Sequence, residues 1–239
     1  MNFHVVSLFP EVIDAYAKAS ILGRAQEENL LSVATHQLRD YADNPAKPDR
    51  GAGKWEYKCV DGRPYGGGPG MVLRAEPFIA AVEAIQQKLE VAAKKQSKGK
   101  PWKKAKVLIT AAGGKELTNA YAKKLSKQGD VIILCGRYEG IDSRAKKVLR
   151  AEEVSVGPYI LTGGEIPALA IIDATARQIP GVLGKFESLE ESRVASHEIY
   201  TRPEVLARGG KNYHVPKVLL SGNHAKIDAW KEQKRSNPI

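Results

Sequence analysis

Residues 131–142 read Val-Ile-Ile-Leu-Cys-Gly-Arg-Tyr-Glu-Gly-Ile-Asp, a continuous apolar run followed directly by a loop with two glycines. A second continuous apolar run, Val107–Thr110, comes before it, and a helical pattern over Leu117–Leu125 separates the two. Continuous apolar runs linked through a helix are typical of buried parallel strands. The stretch therefore predicts an α/β fold with a parallel sheet.

A third run, Val154–Leu161, predicts another strand, so that three strands end in loops containing glycine. These loops are Thr110–Gly114, Cys135–Asp142 and Gly157–Glu165. Ligands of open α/β sheets bind outside the carboxyl ends of the strands. The sequence therefore predicts one pocket at this edge rather than three independent turns.

The surrounding sequence adds one strand and three helices to the prediction. Phe3–Leu8 is a short β-type run, and helical patterns cover Glu11–Ala25, Pro77–Val91 and Glu165–Arg177. Residues 40–58 contain two prolines and two glycines, which predicts a loop. The acidic segment Glu187–Glu191 predicts a linker, and a small region rich in helix-forming residues follows it.

Composition excludes several classes of protein. The chain has 239 residues, 43% of them apolar and 27% charged, which excludes disordered and collagen-like chains. Its longest charge-free stretch, Val154–Gly164, is shorter than the roughly 20 apolar residues that span a bilayer. Met1–Phe9 lacks the basic region of a signal peptide, and two cysteines build no disulfide framework. We expect a soluble, cytoplasmic protein.

The net charge of +10 favours a polyanionic partner such as nucleic acid. Most of this charge lies in one segment, because residues 88–106 hold eight lysines against one glutamate and so carry +7. A basic insert at this place has a simpler interpretation as a solvated or disordered loop, which we prefer to a dedicated nucleic-acid-binding element.

Other motifs leave alternatives open. The glycine cluster Asp61–Met71 fits an anion-binding nest and a mobile surface loop equally well. It fails as a dinucleotide fingerprint because Met71 stands at the position of the last glycine, and Lys115 is not followed by the Ser or Thr of a Walker loop. The histidines match no zinc spacing, so we expect no metal site.

Seven ordered blocks closely resemble the bacterial tRNA (guanine-N1)-methyltransferases, the TrmD family of the SPOUT superfamily. The blocks are Ser7–Pro10, Arg63–Met71, Cys135–Asp142, Leu161–Glu165, Ile179–Gly184, Tyr200–Val205 and Leu219–Ala225. They span almost the whole chain.

The resemblance implies a SPOUT-type parallel sheet with a C-terminal trefoil knot, plus a small helical C-terminal domain. We expect a knotted methyltransferase domain over residues 1–184, a linker over 185–196 and a tRNA-binding domain over 197–239. The family works as a homodimer, with S-adenosyl-L-methionine bound in the knot and the active site at the subunit interface. It methylates N1 of the guanosine at tRNA position 37, just 3′ of the anticodon.

Matching positions supply candidate site residues. The resemblance implies that the cofactor binds to Ile109, Thr110, Gly136, Arg137, Tyr138, Glu139, Val156, Gly157, Pro158, Tyr159, Ile160, Leu161, Gly163 and Gly164. Arg177 matches the family's active-site arginine, and Glu191 matches the aspartate that acts as the catalytic base in the family. A carboxylate is needed to take the N1 proton of guanine, and a cation is needed near O6.

This chain departs from the family pattern at several of these positions. The base is glutamate rather than aspartate, and the adjacent Glu190 is an alternative. Pro158 replaces an aspartate before the pocket tyrosine, Arg193 replaces a phenylalanine, and Thr110–Gly113 replaces a Ser/Thr-Pro-Gln-Gly turn. An alternative hypothesis is therefore a degenerate member that binds RNA or S-adenosylmethionine without methyl transfer. A generic nucleotide-binding protein is disfavoured because both phosphate-loop fingerprints fail.

Overall fold

The computed structural model describes residues 1–42, 58–96, 102–183 and 198–233. The chain divides into two compact units, Met1–Val182 and Leu183–Ile239, and each is described by itself. No helix in the described part of the chain is both long enough and apolar enough to cross a membrane.

The first unit alternates strands and helices. Its elements are β1 (Asn2–Ser7), α1 (Pro10–Ala17), α2 (Ser20–Glu27), β2 (Ser32–Gln37), a 3₁₀ helix (Leu38–Tyr41), β3 (Asp61–Gly62), β4 (Val72–Leu73), α3 (Ala75–Gln96), β5 (Lys106–Glu116), α4 (Asn119–Leu125), β6 (Asp130–Leu134), α5 (Ser143–Leu149), β7 (Glu152–Ser155) and α6 (Glu165–Ala176).

Five of these strands form one sheet in the order β2-β1-β6-β5-β7. Every neighbouring pair is parallel, so the predicted α/β fold with a parallel sheet is confirmed. The run that predicted the fold forms β6, which lies at the centre of the sheet. Its four apolar residues are fully buried, as expected for a strand covered on both faces.

Helices cover the two faces of the sheet because successive side chains of a strand point to opposite sides. Phe3, Val5 and Ile133 belong to an apolar cluster with residues of α1, α2, α4 and α6. Val6, Ile132 and Leu134 belong to a second cluster, in which α3 supplies Phe78, Ala81, Val82 and Ile85. The first unit therefore has three layers, with the sheet in the middle.

Two predicted elements differ in the structure. The run Val154–Leu161 is not one strand, because β7 ends at Ser155 and Gly157 turns so tightly that a side chain there would meet the Tyr159 ring. The predicted helix Glu11–Ala25 is two helices, since α1 ends at Ala17 and α2 begins at Ser20. β2 and α5 were not predicted.

The lysine-rich segment is also not one loop. Lys88, Lys94 and Lys95 lie in the last turns of α3, and Lys106 begins β5. Lys94 pairs with Glu90 one helical turn away, with Nζ and Oε1 2.7 Å apart. Residues 97–101 lie outside the described part of the chain. The expectation of a single solvated or disordered loop is therefore wrong for its helical part.

Within residues 198–233, the described part of the second unit, the first regular element is a hairpin rather than a helix. β8 (Val205–Arg208) pairs antiparallel with β9 (Lys211–His214) across Gly209 and Gly210, both of which have positive φ. A Gly-Gly pair at positive φ is the usual two-residue turn of a hairpin. Two short helices, α7 (Lys217–Leu220) and α8 (His224–Gln233), follow it.

A histidine pair joins the edge strand β2 to β1. His4 Nδ1 lies 3.3 Å from His36 Nε2, and His36 Nδ1 lies 3.2 Å from the Tyr41 hydroxyl. Burial lowers the pKa of both imidazoles, and that of His36 falls to about 4 with the help of His4 and Lys88. Asp130 acts in the opposite direction on the pKa of His4.

This pair predicts a loss of stability in mild acid. Because both pKa values lie below the ordinary 6.5, the unfolded chain binds these protons more readily than the folded chain. The contribution of the two neutral imidazoles to the free energy of unfolding is complete above pH 6.5 and declines as the pH falls toward 4. Urea unfolding at pH 7.5 and pH 5 measures it, and His36→Gln should show a smaller decline than the unmodified chain. Equal declines in both proteins would contradict the assignment.

Candidate active site

A cleft of about 460 Å³ opens at the middle of β5 and at the carboxyl ends of β6 and β7. Its walls are the three strand-end loops, together with Pro167 in the first turn of α6. It is lined by Ile109, Thr110, Ala111, Ala112, Gly136, Arg137, Tyr138, Glu139, Gly140, Ile141, Ser143, Lys146, Glu153, Val154, Ser155, Val156, Gly157, Tyr159, Ile160, Leu161, Thr162, Gly163, Gly164 and Pro167.

A bulge in β5 shapes one wall. Both Thr110 and Lys115 pair with Val154 of β7, so that residues 111–114 loop out of the ladder between them. Gly114 makes this possible, because a Cβ at that position would lie 2.6 Å from the backbone of Glu153 and Val154. The bulge carries Ala111 and Ala112 into the lining of the cleft.

The loop after β7 packs directly on the loop after β6. The Gly164 amide donates to the Gly136 carbonyl at 2.8 Å, and Arg137 forms an antiparallel bridge with Gly163. A Cβ on Gly164 would lie 2.1 Å from Thr110 Oγ1 and 2.7 Å from the Gly136 nitrogen. Contact between these loops therefore requires glycine at position 164.

The glycine cluster lies beside the rim of the same cleft. The Glu139 amide donates to the Met71 carbonyl at 3.0 Å, and a Cβ on Gly70 would lie 2.8 Å from the Glu139 carboxylate. Gly66, Gly67, Gly68 and Gly70 have positive φ, and Tyr65 is fully exposed. The sequence left an anion nest and a surface loop equally open; the structure shows an exposed loop anchored next to Glu139.

The structure brings together all the predicted cofactor residues except Pro158, which is exposed and does not line the cleft. Most residues that the sequence reasoning missed are sequence neighbours of predicted ones. Ser143, Lys146 and Glu153 are different, because α5 and β7 bring them into the lining of the cleft. There Lys146 Nζ lies 2.6 Å from Glu153 Oε2. No sequence motif marked this pair.

The two predicted catalytic residues are not brought into the cleft. Arg177 caps the carboxyl end of α6, whereas the amino end of this helix lines the cleft. A 12-residue helix separates its two ends by about 18 Å. Glu191 and the alternative Glu190 lie outside the described residues. Across the ranges the structure describes, no three His, Cys, Asp or Glu side chains are grouped in a way that would hold a metal ion.

An ion pair between a buried carboxylate and the partly exposed Arg137 lies against Gly163. Glu165, at the start of α6, is 1% exposed, and its Oε2 lies 2.9 Å from Arg137 Nη2. The Ser7 hydroxyl donates to the other oxygen of Glu165 at 2.6 Å. Burial, together with the neighbouring Glu165 carboxylate, raises the pKa of the Cys135 thiol. This thiol is therefore no candidate nucleophile.

The sequence model of the family described as tRNA (Guanine-1)-methyltransferase TrmD matches residues 1–238. This chain belongs to the TrmD family. A tRNA (guanine-N(1)-)-methyltransferase of Geobacter metallireducens is 39% identical over 238 residues, covering 98% of this chain and 86% of that protein. One from Ruminiclostridium cellulolyticum is 41% identical over 237 residues, covering 98% and 90%.

A solved TrmD-family structure shows the same fold. The crystal structure of tRNA (m1G37) methyltransferase from Aquifex aeolicus has 35% sequence identity and a TM-score of 0.71. The match covers 98% of this chain and 88% of that one. The family resemblance inferred from the seven sequence blocks is therefore confirmed.

Substitution of Gly164 tests the loop contact that forms this TrmD cleft. Gly164→Ala forces a methyl group into contacts of 2.1–2.7 Å, so the free energy of unfolding should fall by about 1–3 kcal/mol. Gly113→Ala is the matched control, because nothing lies within 4 Å of its Cβ position. Urea unfolding measures both variants. An equal effect of the two substitutions would show that the contact does not constrain the loops.

Proposed function

We propose that this TrmD-family chain transfers a methyl group from S-adenosyl-L-methionine to N1 of guanosine at position 37 of tRNA. Relatives that match along 98% of the chain are named tRNA (guanine-N(1)-)-methyltransferases. The observation that carries the proposal is the cleft, in which almost every residue expected to hold the cofactor lines one cavity.

The residues of the cleft fit such a cofactor. A volume of about 460 Å³ lies in the usual range of pockets for small molecules, roughly 300–1,000 Å³. Ile109, Ile160 and Leu161 offer apolar surface for a flat base, and the loop backbones offer amide and carbonyl groups. Glu139 supplies negative charge for the cationic donor, whereas the charge of Glu153 is paired with Lys146. When bound, S-adenosylmethionine supplies an electrophilic methyl group on its sulfonium.

The protein must then orient guanine and remove its N1 proton. A carboxylate is the available base, and Glu191 is our candidate, with Glu190 as the alternative. Removal of the proton develops negative charge on O6, which a guanidinium stabilises by hydrogen bonding. Arg177 is our candidate for this cation. Glutamate has nearly the same ordinary pKa as aspartate, about 4.3 against about 3.9, so the exchange preserves the chemistry of the base.

Arg177 supports a site shared between two copies of the chain. It lies about 18 Å from the cleft-lining end of α6, so it cannot serve the cleft of its own first unit. Exposed apolar side chains of α1, α6 and the residue before α1 offer a surface for a subunit interface, since Phe9, Val12, Tyr16 and Ile166 are 37–57% exposed. We therefore propose a homodimer with the active site at the subunit interface.

We also propose that the segment after β7 forms the trefoil knot of the family. Gly163 and Gly164 contact the loop after β6 and the end of β5 at distances that admit no side chain. Such close passage fits a chain that is threaded between neighbouring loops. The knot would explain why residues 156–164 form one wall of the cleft proposed to bind the cofactor, instead of extending strand β7.

The second unit is our candidate for contact with tRNA. Its described surface carries basic side chains and exposed aromatic ones, including Arg202, Arg208, Lys211 and Tyr213. Basic groups bind phosphates, and aromatic rings stack on unpaired bases. We place the enzyme in the cytoplasm, where tRNA is found.

Methyl transfer to tRNA tests the proposal directly. The purified chain should transfer labelled methyl groups to tRNA with guanosine at position 37 and not to tRNA with adenosine there. Arg177→Ala and Glu191→Gln should each reduce the rate by at least about a hundredfold, the usual contribution of an oriented charge or a general base. Binding of cofactor and tRNA without transfer would instead identify a degenerate member.

Mixing two inactive variants tests the shared site. Ala112→Trp places a large ring at the cleft, and Arg177→Ala leaves the cleft intact. If the site is shared, refolded mixtures recover about a quarter of the unmodified activity, because half of the dimers are mixed and each has one complete site. If each chain builds its own site, mixing restores nothing. Size-exclusion chromatography of each variant verifies that dimers form.

The lysines around residues 94–104 should strengthen tRNA binding without specificity. Replacing Lys94, Lys95, Lys103 and Lys104 by Gln should weaken tRNA binding and reduce its salt dependence. The slope of log K for tRNA binding against log salt concentration should become shallower by about 0.7–0.9 for each phosphate that a lysine no longer neutralises. Cofactor affinity should not change. Lys123, Lys124 and Lys127, which are also exposed, serve as the control set. An unchanged salt slope would mean that the basic segment is only a solvated surface.

A further inference from the structure

Glu165 is the one charged side chain in the described ranges that is almost fully buried. It does not line the cleft, and the proposed chemistry assigns it no role. A carboxylate withdrawn from water costs free energy unless neighbouring groups compensate its charge. The groups that compensate it therefore indicate what the carboxylate does.

Three elements hold the Glu165 carboxylate. Ser7, at the end of β1, donates a hydrogen bond of 2.6 Å to Oε1. Arg137, in the loop after β6, places Nη2 2.9 Å from Oε2. Glu165 itself lies in the first turn of α6, where the helix dipole favours a negative charge. A single side chain therefore ties the end of β1 and the loop after β6 to the start of α6.

The contact with Arg137 is held by charge rather than by aligned hydrogen bonds. Neither Glu165 Oε2 nor Arg137 Nε has a hydrogen-bond partner of good geometry among the described residues. The rest of the guanidinium is weakly held, with 3.5 Å from Nη1 to the Thr162 carbonyl and 4.5 Å from its centre to the Phe9 ring. The orientation of Arg137 therefore depends mainly on the negative charge of Glu165.

Arg137 in turn contacts both walls of the cleft. It belongs to the loop after β6, and its backbone forms a bridge with Gly163 in the loop after β7. A Cβ on Gly163 would lie 2.3 Å from Arg137 Nε and 2.6 Å from Glu165 Oε2, so the ion pair fills the space directly behind that loop. The guanidinium therefore lies packed between Gly163 and Glu165, in contact with the loop that it shares a bridge with.

We propose that Glu165 is a positioning residue for methyl transfer, which fixes Arg137 and thereby sets the spacing of loops 136–139 and 161–164 around the cofactor. The proposal rests on the function proposed above, because it assumes that the cleft binds the methyl donor. It assigns Glu165 no contact with the cofactor or with guanine. Its effect passes through Arg137 and the two loops.

Glu165→Gln tests this role because it keeps the shape of the side chain and removes its charge. We expect amide hydrogen exchange of residues 136–139 and 161–164 to accelerate about tenfold in the free protein. The Kd for S-adenosylmethionine, measured by calorimetry, should rise by a similar factor, while the KM for tRNA stays within twofold. Exchange of β1 and β6 should not change.

Glu152→Gln is the matched control. Like Glu165→Gln, it removes the charge of a carboxylate that is paired with a cation, here Lys106. Glu152 lies in β7 and does not line the cleft. It should leave exchange in the two loops and the Kd for the cofactor unchanged. The double variant Arg137→Gln/Glu165→Gln should bind the cofactor no more weakly than Arg137→Gln alone, because Glu165 acts through Arg137.

The outcomes are distinct. If Glu165→Gln leaves loop exchange and cofactor Kd within twofold of the unmodified protein, the positioning role is overturned, even if the melting temperature falls. If the unmodified chain binds no cofactor, the proposed function fails, and loop exchange alone decides whether Glu165 positions the loops. If Glu165→Gln does not fold, Ser7→Ala replaces it, and loop exchange equal to that of the unmodified protein overturns the role.

Discussion

Close contact between the bulged part of β5, the loop after β6 and the segment that contains β7 is the constraint on which the cleft of the first unit depends. Gly164 packs on Thr110 and Gly136, and Gly114 packs on the backbone of β7, at distances that admit no Cβ. The Gly164 amide also donates to the Gly136 carbonyl, so the loops after β6 and β7 touch through backbone. A parallel sheet with helices on both faces thereby gains a cleft at one edge.

Charge has different consequences at different depths of this structure. Pairs such as Lys18–Asp14 and Lys231–Asp228 lie at the surface, where water screens them and their contribution to stability is small. The Arg137–Glu165 pair is shielded by the protein, so its geometry matters more than that of a surface pair. The net charge of +10 is likewise a poorer guide to where nucleic acid would bind than the distribution of the charge. Much of this charge lies at the end of α3 and in the residues that follow.

Helix α6 connects the cleft to the proposed catalytic arginine. Its first residue is the buried Glu165, its middle packs in the core through Ala168, Leu169, Ile171 and Ile172, and Arg177 caps its end. A helix packed along its length keeps its two ends at a fixed distance. Under the proposed function, this fixed distance is the reason why one copy of the chain supplies the cofactor cleft and another supplies the arginine.

Sequence patterns predicted local structure well where one physical requirement dominated. The apolar run that became β6 is buried on both faces, and the pattern of Glu165–Arg177 became α6 within one residue. The predicted strand Val154–Leu161 was wrong, because β7 ends at Ser155, before Gly157 and Pro158. Apolar content alone does not show where such a strand ends. The prediction also missed β2, an edge strand with a mixed pattern, and the hairpin at Gly209 and Gly210.

The amino-acid sequence by itself determined that this chain is an α/β protein of the TrmD family with glycine-bearing loops after its strands. These properties are local, since each follows from residues adjacent in the chain. Only the tertiary structure decided that Lys146 and Glu153 share the cleft, that Glu165 is buried against Arg137 and Ser7, and that Arg177 lies away from the cleft. Those facts depend on the order of the strands and on the length of a packed helix, and no local pattern encodes either.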